Sequence, residues 1–184
     1  SLKLILSSLI ESKHWFIFFQ IAFINDGGLR SDLSPGDITS EDVLSVLPFN
    51  NTIDLVELTG ADILQVLEWN IAGLCPNMSC EAAEFYQMAG MRVQMVILEK
   101  NQGNRVVKAE VREGNGEHVP IDENKTYKVA ITSFLTLLGK SPVADLMQNK
   151  MAGVTDYDAL VEYLDMVSPI MMQPQGRIQI EYIL

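Results

Sequence analysis

The sequence predicts an α+β fold, and two kinds of local pattern support this prediction. Three segments carry a Thr followed three residues later by an Asp, which is the spacing of a helix N-terminal capping box. Several other segments are short, rich in β-branched residues and bounded by turn residues, as is typical of strands. Helices and strands alternate without a regular strand–helix–strand rhythm, which favours mixed sheets packed with helices over a parallel α/β sheet.

The first half of the chain is predicted to contain two strands and a short helix. The apolar run Ile21 to Ile24 ends at a glycine turn and indicates a buried strand that leads into a loop. Thr39 and Asp42 start a helix that must be short, because Pro48 ends it. Thr52 to Leu58 is predicted as a strand, with Ile53 and Leu55 on one side.

A longer helix and a β-hairpin are predicted next. Thr59 and Asp62 cap the helix, Gly73 marks its end, and its apolar residues follow at helical spacing: Ile63, Leu64, Val66, Leu67 and Ile71. The runs Met91 to Leu98 and Val106 to Val111 are separated by a polar, glycine-containing turn and form the hairpin.

The last third of the chain is predicted to form a strand, a helix and a final strand. Tyr127 to Thr132 is the strand. Thr155 and Asp158 cap the helix, whose inner face carries apolar residues and a tyrosine: Leu160, Val161, Tyr163 and Leu164. Arg177 to Ile183 alternates polar and apolar residues as the final strand.

Charge and hydropathy exclude two classes of partner. The 184 residues carry a formal net charge of −11, and this acidic field would repel nucleic acid. The longest apolar run, Trp15 to Ile24, is too short to span a bilayer. Residues 1–24 lack the features of a signal peptide, so we expect any secretion signal to lie upstream.

The cysteines and three sequons favour an extracellular protein. Cys75 and Cys80 are either two free thiols or a short-loop disulfide, which would imply an oxidising compartment. Glycosylation sequons begin at Asn50, Asn77 and Asn124. We expect the disulfide and a secreted or cell-surface location.

The segment Asn25-Asp26-Gly27-Gly28-Leu29-Arg30 is the sharpest local motif. Two glycines directly after a strand permit positive φ, which would turn backbone N–H groups towards an anion. Arg30 would add a planar guanidinium suited to phosphate. The alternative is a plain tight turn with a surface arginine. The spacing fits neither a Walker loop nor a dinucleotide fingerprint.

Aromatic residues in two loops suggest a second element of a site. Phe49, after Pro48, and Phe134, after the strand ending at Thr132, are either core residues or platforms on which a flat ring stacks. Trp69 lies on a predicted helix and is expected to be a packing residue. His14 and His118 are isolated from one another, so the sequence indicates no metal site and no catalytic residue in this chain.

Taken together, these segments resemble the C-terminal domain of the 5′-nucleotidase and apyrase family of metallophosphoesterases. The resemblance covers about Ile21 to Ile183, and residues 1–20 form an unassigned N-terminal segment outside it. Five motifs in the family's order carry the resemblance: Phe23 to Arg30, Val46-Leu47-Pro48-Phe49, Asp54 to Gly60, Tyr127-Lys128-Val129-Ala130 with Phe134-Leu135, and Gly176-Arg177-Ile178.

The resemblance implies that residues 21–184 are a substrate-binding domain. In the family, a separate N-terminal domain holds two divalent metal ions, expected to be zinc, and the C-terminal domain brings the nucleoside to them. Phe49 and Phe134 would sandwich the base, Asn25 would contact the nucleoside, and Arg30 would help to hold phosphate. The implied substrate-binding residues are Asn25, Gly27, Gly28, Arg30, Phe49 and Phe134.

Two departures from the family pattern keep alternatives open. Asp26 replaces the first glycine of the family's triplet, and Leu138-Gly139-Lys140-Ser141 stands where a Gly-Gly-Asp-Gly stretch grips the ribose. We expect nucleotide recognition for a 5′-nucleotidase acting on nucleoside mono- or diphosphates, with no hydrolysis by this chain alone. The alternatives are a non-catalytic nucleotide scavenger and a structural or interaction domain that keeps only the fold.

Overall fold

The computed structural model describes residues 19–72, 85–98, 105–137, 141–171 and 175–183. Within these ranges the chain forms two sheets, four α-helices and two single-turn 3-10 helices. The strands are β1 (Ile21–Asn25), β2 (Ile53–Thr59), β3 (Tyr86–Ala89), β4 (Met91–Leu98), β5 (Val106–Arg112), β6 (His118–Pro120), β7 (Thr126–Thr132), β8 (Gln148–Met151) and β9 (Ile178–Ile183). The α-helices are α1 (Ser40–Val46), α2 (Gly60–Ala72), α3 (Val143–Leu146) and α4 (Asp156–Val167). The 3-10 helices are Asp26–Gly28 and Ser133–Thr136.

The first sheet has five strands in the order β3-β1-β7-β2-β8. β1 runs parallel to β7, whereas β2 runs antiparallel to both β7 and β8. The second sheet has the order β6-β5-β4-β9, with the predicted hairpin β4–β5 at its centre. Every residue of β1 is buried, as expected for a strand with neighbours on both sides and packing on both faces.

The main hydrophobic core joins the two sheets through α2. Ile63, Val66, Leu67 and Ile71 of this helix are fully buried, and they pack with side chains from both sheets. Gly60, at the start of α2, is required by close packing, because a Cβ there would lie 2.2 Å from the carbonyl oxygen of Asp122. This contact fixes the start of the helix against the turn before β7.

A second cluster packs α1 and α4 against the end of β1. Its buried members are Ile24 of β1, the α1 residues Val43 and Val46 with Leu47, and the α4 residues Ala159, Leu160, Tyr163 and Leu164. Both helices begin at the predicted threonine caps, since the Thr39 hydroxyl accepts from Asp42 N and the Thr155 hydroxyl accepts from Asp158 N. This cluster therefore supports the segment that leads from α1 to β2.

The α+β fold with mixed sheets is confirmed, although three short strands and α3 were not predicted. β3, β6 and β8 have three or four residues each, which is too short for a periodic pattern to emerge. The predicted end of α2 at Gly73 lies outside the described residues. Trp69 is 38% exposed, and its ring centroid lies 6.2 Å from that of Tyr86, so it packs at the rim of the core.

Ile53 and Leu55 lie on one face of β2 as predicted, and the opposite face is the more deeply buried one. Asp54, Val56 and Leu58 are buried, whereas Ile53 and Leu55 are only partly buried. The side chain of Asp54 therefore points to the more deeply buried face. In the part of the chain that the structure describes, no helix is long and apolar enough to cross a membrane.

Candidate functional site

Three chain segments meet at one edge of the first sheet. β1 and β7 are parallel, so both end there, and the antiparallel β2 begins there, with Ile53 opposite Thr132. We call this edge, marked by Asn25, Ile53 and Thr132, the site edge. All six predicted site residues lie on the three segments that adjoin it: 25–30 from the last residue of β1 onward, 48–52 before β2, and 133–136 after β7.

The glycine loop matches the second of the two alternatives that the sequence left open, a tight turn followed by a surface arginine. Asp26–Gly28 is a single 3-10 turn, and neither Gly27 nor Gly28 is among the residues with positive φ. The loop is held by tertiary hydrogen bonds, because Asp26 N donates to the carbonyl of Phe85 and Arg30 N donates to that of Val46. These two N–H groups are therefore used within the protein and do not face an anion.

Close packing explains the second glycine of the loop. A Cβ at Gly28 would lie 3.3 Å from Asn25 Oδ1, which is tighter than ordinary van der Waals contact. The side chain of Asn25 is itself buried, and its Oδ1 accepts a 3.1 Å hydrogen bond from the Thr132 hydroxyl. Gly28 thus allows the loop to fold directly over the Asn25 amide, which is anchored between β1 and β7.

Arg30 and Phe49 form the exposed part of the site edge. Phe49 is 56% exposed, and the guanidinium carbon of Arg30 lies 5.9 Å from the centroid of its ring. Arg30 Nη1 also donates a 3.3 Å hydrogen bond to the carbonyl of Gly27. An exposed phenylalanine ring beside a cation is inconsistent with a core role for Phe49.

The chain turns sharply after Phe49. Asn50 adopts a left-handed φ of 53°, a conformation that asparagine tolerates better than most residues. The carbonyl of Asn51 accepts a 2.8 Å hydrogen bond from Asp156 N at the start of α4. Burial raises the pKa of the Asp156 carboxyl, although its hydrogen bonds with Tyr157 N and Asn51 oppose the shift.

Phe134 lies on the 3-10 turn that follows β7. Its ring is partly buried and packs against the main core. The turn is tied to the Phe49 segment by two hydrogen bonds, since Thr52 N donates to Ser133 Oγ at 3.1 Å and Ser133 N donates to the carbonyl of Thr52 at 2.8 Å. The structure therefore brings the two aromatic segments side by side, with Phe49 the more exposed of the two rings.

Sequence reasoning missed a buried polar network behind these segments. Asp54, which is fully buried, is the acceptor at its centre, and Lys150 Nζ on β8 lies 2.9 Å from its Oδ2. The hydroxyls of Thr52 and Thr136 lie 2.6 Å from Oδ1 and 3.3 Å from Oδ2, respectively. One feature of the sequence could have indicated this burial: Asp54 is two and four residues before Val56 and Leu58, so the three side chains lie on the same face of the strand.

A groove of about 840 Å³ elsewhere on the surface is a poorer candidate for nucleotide binding. It lies between residues 33–40 and α4, and none of the six predicted residues lines it. Its described lining includes Asp37 and Asp165 but no lysine, arginine or histidine, so it would repel a phosphate. Among the residues that the structure describes, no group of three or more His, Cys, Asp or Glu side chains is arranged to hold a metal ion.

Comparison with known proteins agrees with the fold and the motifs. The family model described as 5′-nucleotidase, C-terminal domain, matches residues 4–145, and so begins within the segment 1–20 that the motifs left unassigned. A 5′-nucleotidase-related protein from Glossina morsitans morsitans is 35% identical over 87% of this chain and 29% of its own length. An apyrase from Tabanus yao is 30% identical over 87% of this chain and 29% of its own length.

A solved structure shows the same likeness in three dimensions. The crystal structure of a 5′-nucleotidase precursor from Thermus thermophilus matches with a TM-score of 0.84 and 30% identity, over 97% of this chain and 35% of that one. The chain thus spans about a third or less of these relatives. The family model, the relatives and the shared fold establish that this chain belongs to the 5′-nucleotidase C-terminal domain family.

Proposed function

We propose that this chain is the nucleotide-recognition domain of a 5′-nucleotidase that acts on nucleoside mono- or diphosphates. In this proposal the base stacks on Phe49 and Phe134, Asn25 contacts the nucleoside, Gly27 and Gly28 allow its close approach, and Arg30 holds phosphate. The observation that carries it is the pairing of exposed Phe49 with the Arg30 guanidinium at an edge where all three motif-bearing segments meet.

The physical properties of the site edge suit a nucleotide. A flat base gains by covering the exposed ring of Phe49, since stacking on an aromatic side chain contributes about 1–3 kcal/mol per base in single-stranded nucleic acid binders. The guanidinium provides a local positive charge on a chain whose net charge is −11, which would otherwise disfavour an anionic ligand.

We further propose that hydrolysis requires two divalent metal ions, expected to be zinc, held by an N-terminal domain of the family type. Such ions supply an activated water and polarise the phosphoryl group. The role of this chain would be to bind and orient the nucleotide. Phosphate release from AMP by this chain alone, abolished by a substitution within it, would contradict this division of labour.

Titration of the chain with adenosine and AMP tests nucleotide recognition. Phe49→Ala and Phe134→Ala are each expected to weaken adenosine binding by roughly tenfold or more, because each removes a stacking surface. Tyr182→Ala is the matched control, because Tyr182 is 54% exposed, similar to Phe49, but lies on β9 of the second sheet. Equal effects of Phe49→Ala and Tyr182→Ala, or no binding by the unmodified chain, would refute the proposal.

A non-catalytic nucleotide-binding protein is the second candidate function. It is favoured by Lys140, which stands in the place of the family's ribose-binding aspartate and lies outside the described residues. The two candidates make the same binding prediction but differ in turnover. Nucleotide hydrolysis by the whole protein that carries this domain would select the enzyme, whereas tight binding without hydrolysis would select the scavenger.

We also propose an extracellular location, with a disulfide between Cys75 and Cys80. Both cysteines lie outside the described residues, so the support comes from their spacing and from the sequons. Asn50 and Asn124 are exposed, as acceptor sites for glycans must be. Mass spectrometry of protein from a secretory host is expected to show the disulfide, and two free thiols would rule it out.

A further inference from the structure

We infer that Asp54 is a positioning residue that holds the two aromatic segments of the site edge in their relative arrangement. This inference deepens the proposed function and rests on it. Asp54 lies on β2 and is fully buried, so its carboxylate cannot contact a ligand bound at the surface. Its effect on binding would therefore be transmitted through the residues that it contacts.

Neighbouring groups compensate the charge of the buried Asp54 carboxylate. Lys150 Nζ lies 2.9 Å from Asp54 Oδ2, and the Thr52 hydroxyl donates a 2.6 Å hydrogen bond to Oδ1. The Lys150 side chain is 39% exposed, so the pair is buried on the carboxylate side only. A buried ion pair is seldom more stabilising than a well-packed apolar pair, and such groups are in some proteins retained because they specify one arrangement.

The carboxylate and Lys150 both contact the turn that carries Phe134. Thr136 ends this turn, and its hydroxyl oxygen accepts a 2.7 Å hydrogen bond from Lys150 Nζ. The single proton of that hydroxyl has two nearby acceptors, the Ser133 carbonyl at 2.8 Å and Asp54 Oδ2 at 3.3 Å. Lys150 and Asp54 together therefore fix the end of the turn.

The same carboxylate is hydrogen-bonded to the segment that carries Phe49. Thr52, which donates to Asp54 Oδ1, lies three residues after Phe49 and exchanges hydrogen bonds with Ser133, next to Phe134. One oxygen of Asp54 is thus bonded to the Phe49 segment, and the other faces the Phe134 turn. Two rings that bind one base must keep a fixed separation, and this carboxylate is placed to maintain it.

A double-mutant cycle tests the inference. Asp54→Asn keeps the shape of the side chain but removes its charge, and we expect it to weaken adenosine and AMP binding in parallel by up to the roughly tenfold effect of removing a stacking ring. In the Phe134→Ala background, Asp54→Asn is expected to have an effect of about twofold or less, because residues that act as a unit are not additive. A merely structural role would not produce this loss of effect.

Two further variants keep the test decisive. Asp62→Asn is the matched control, because Asp62 bonds Thr59 at the opposite end of β2, and it should leave adenosine affinity unchanged. If Asp54→Asn fails to fold, Thr136→Val removes the hydroxyl alone and is expected to show the same dependence on Phe134. The inference would be overturned if the substitution weakened adenosine binding equally in the chain with Phe134 and in the Phe134→Ala background, or if it left adenosine affinity unchanged. Either result would leave the proposed function intact. Absence of adenosine binding by the unmodified chain would overturn both.

Discussion

Replacement of Arg30 by alanine should separate recognition of the phosphate from recognition of the base. The guanidinium lies over the ring of Phe49, 5.9 Å from its centroid, and the Arg30 side chain is exposed. It could therefore act in two ways, as the partner of a phosphate or as a support for the stacking ring. These two roles predict different ratios of AMP to adenosine affinity.

The expected magnitudes differ enough to be measured. Two opposite unit charges 4 Å apart in water attract by about 1 kcal/mol, so a phosphate carrying nearly two charges would gain about 2 kcal/mol, or roughly thirtyfold in affinity. A cation–π contact at an exposed site contributes about 0.5–1 kcal/mol, or roughly two- to fivefold. We therefore expect Arg30→Ala to weaken AMP binding roughly thirtyfold and adenosine binding by fivefold at most.

Calorimetric titration at two salt concentrations provides the assay. The AMP effect should shrink at high salt, because screening shortens the Debye length from about 8 Å at 0.15 M to about 3 Å at 1 M. Arg92→Ala controls for the change in net charge, since Arg92 is exposed on β4 of the second sheet. If Arg30→Ala weakens AMP and adenosine equally at both salt concentrations, Arg30 supports Phe49 and does not hold phosphate.

Three further predictions concern stability. The Thr39 hydrogen bonds lower the pKa of Asp42, so the stability that Asp42 contributes is present above its unfolded-state pKa and is lost in acid. Asp42→Asn should accordingly be less stable than the unmodified chain in denaturation at pH 7, and this difference in unfolding free energy should shrink towards pH 3. A difference that does not change with pH would contradict the lowered pKa. Burial raises the pKa of Asp156, so the stability of the native protein relative to Asp156→Asn should instead fall as the pH rises from 3 to 7; the opposite slope would show that its hydrogen bonds outweigh burial. Phe49 is 56% exposed, so only the remaining 44% of its roughly 200 Å² of side-chain surface is buried. Phe49→Ala should therefore lower the unfolding free energy, measured by urea denaturation, by at most about 2 kcal/mol. Phe23 is buried, so Phe23→Ala should lower the unfolding free energy by about 3–5 kcal/mol. Equal losses for Phe23→Ala and Phe49→Ala would place Phe49 in the core.

The parts of the fold that the sequence predicted correctly depend on interactions between near neighbours. The Thr39–Asp42 and Thr155–Asp158 pairs each join residues three apart, so their hydrogen bonds form wherever a helix starts. The unpredicted strand Gln148–Met151 has four exposed residues and pairs with β2. Its strand conformation is due to that neighbour, and no local pattern could have indicated it.

The sequence left two conformations of the glycine loop open for a related reason. Glycine permits positive φ but does not require it, and the local sequence of Gly27 and Gly28 contains no information about the carbonyls that hold the loop. The bond from Arg30 N to the Val46 carbonyl joins the loop to the end of α1. A glycine is favoured at position 28 because the Asn25 amide leaves little room for a Cβ. The position of that amide depends in turn on the pairing of β1 with β7, through its hydrogen bond with Thr132.

Asp54 shows most clearly why a site residue can escape sequence analysis. An isolated aspartate in a strand is ordinarily assigned to solvent, because carboxylates are rarely buried unless they are paired. The pairing that buries Asp54 comes from Lys150, which follows far along the chain on the adjoining strand β8. An aliphatic residue at position 54 would match the buried Val56 and Leu58, but it would remove the acceptor for Lys150 and for the Thr52 hydroxyl. Because those two residues anchor the segments that carry Phe134 and Phe49, the polar choice at this buried position is better explained by the geometry of the site edge than by the stability of the strand.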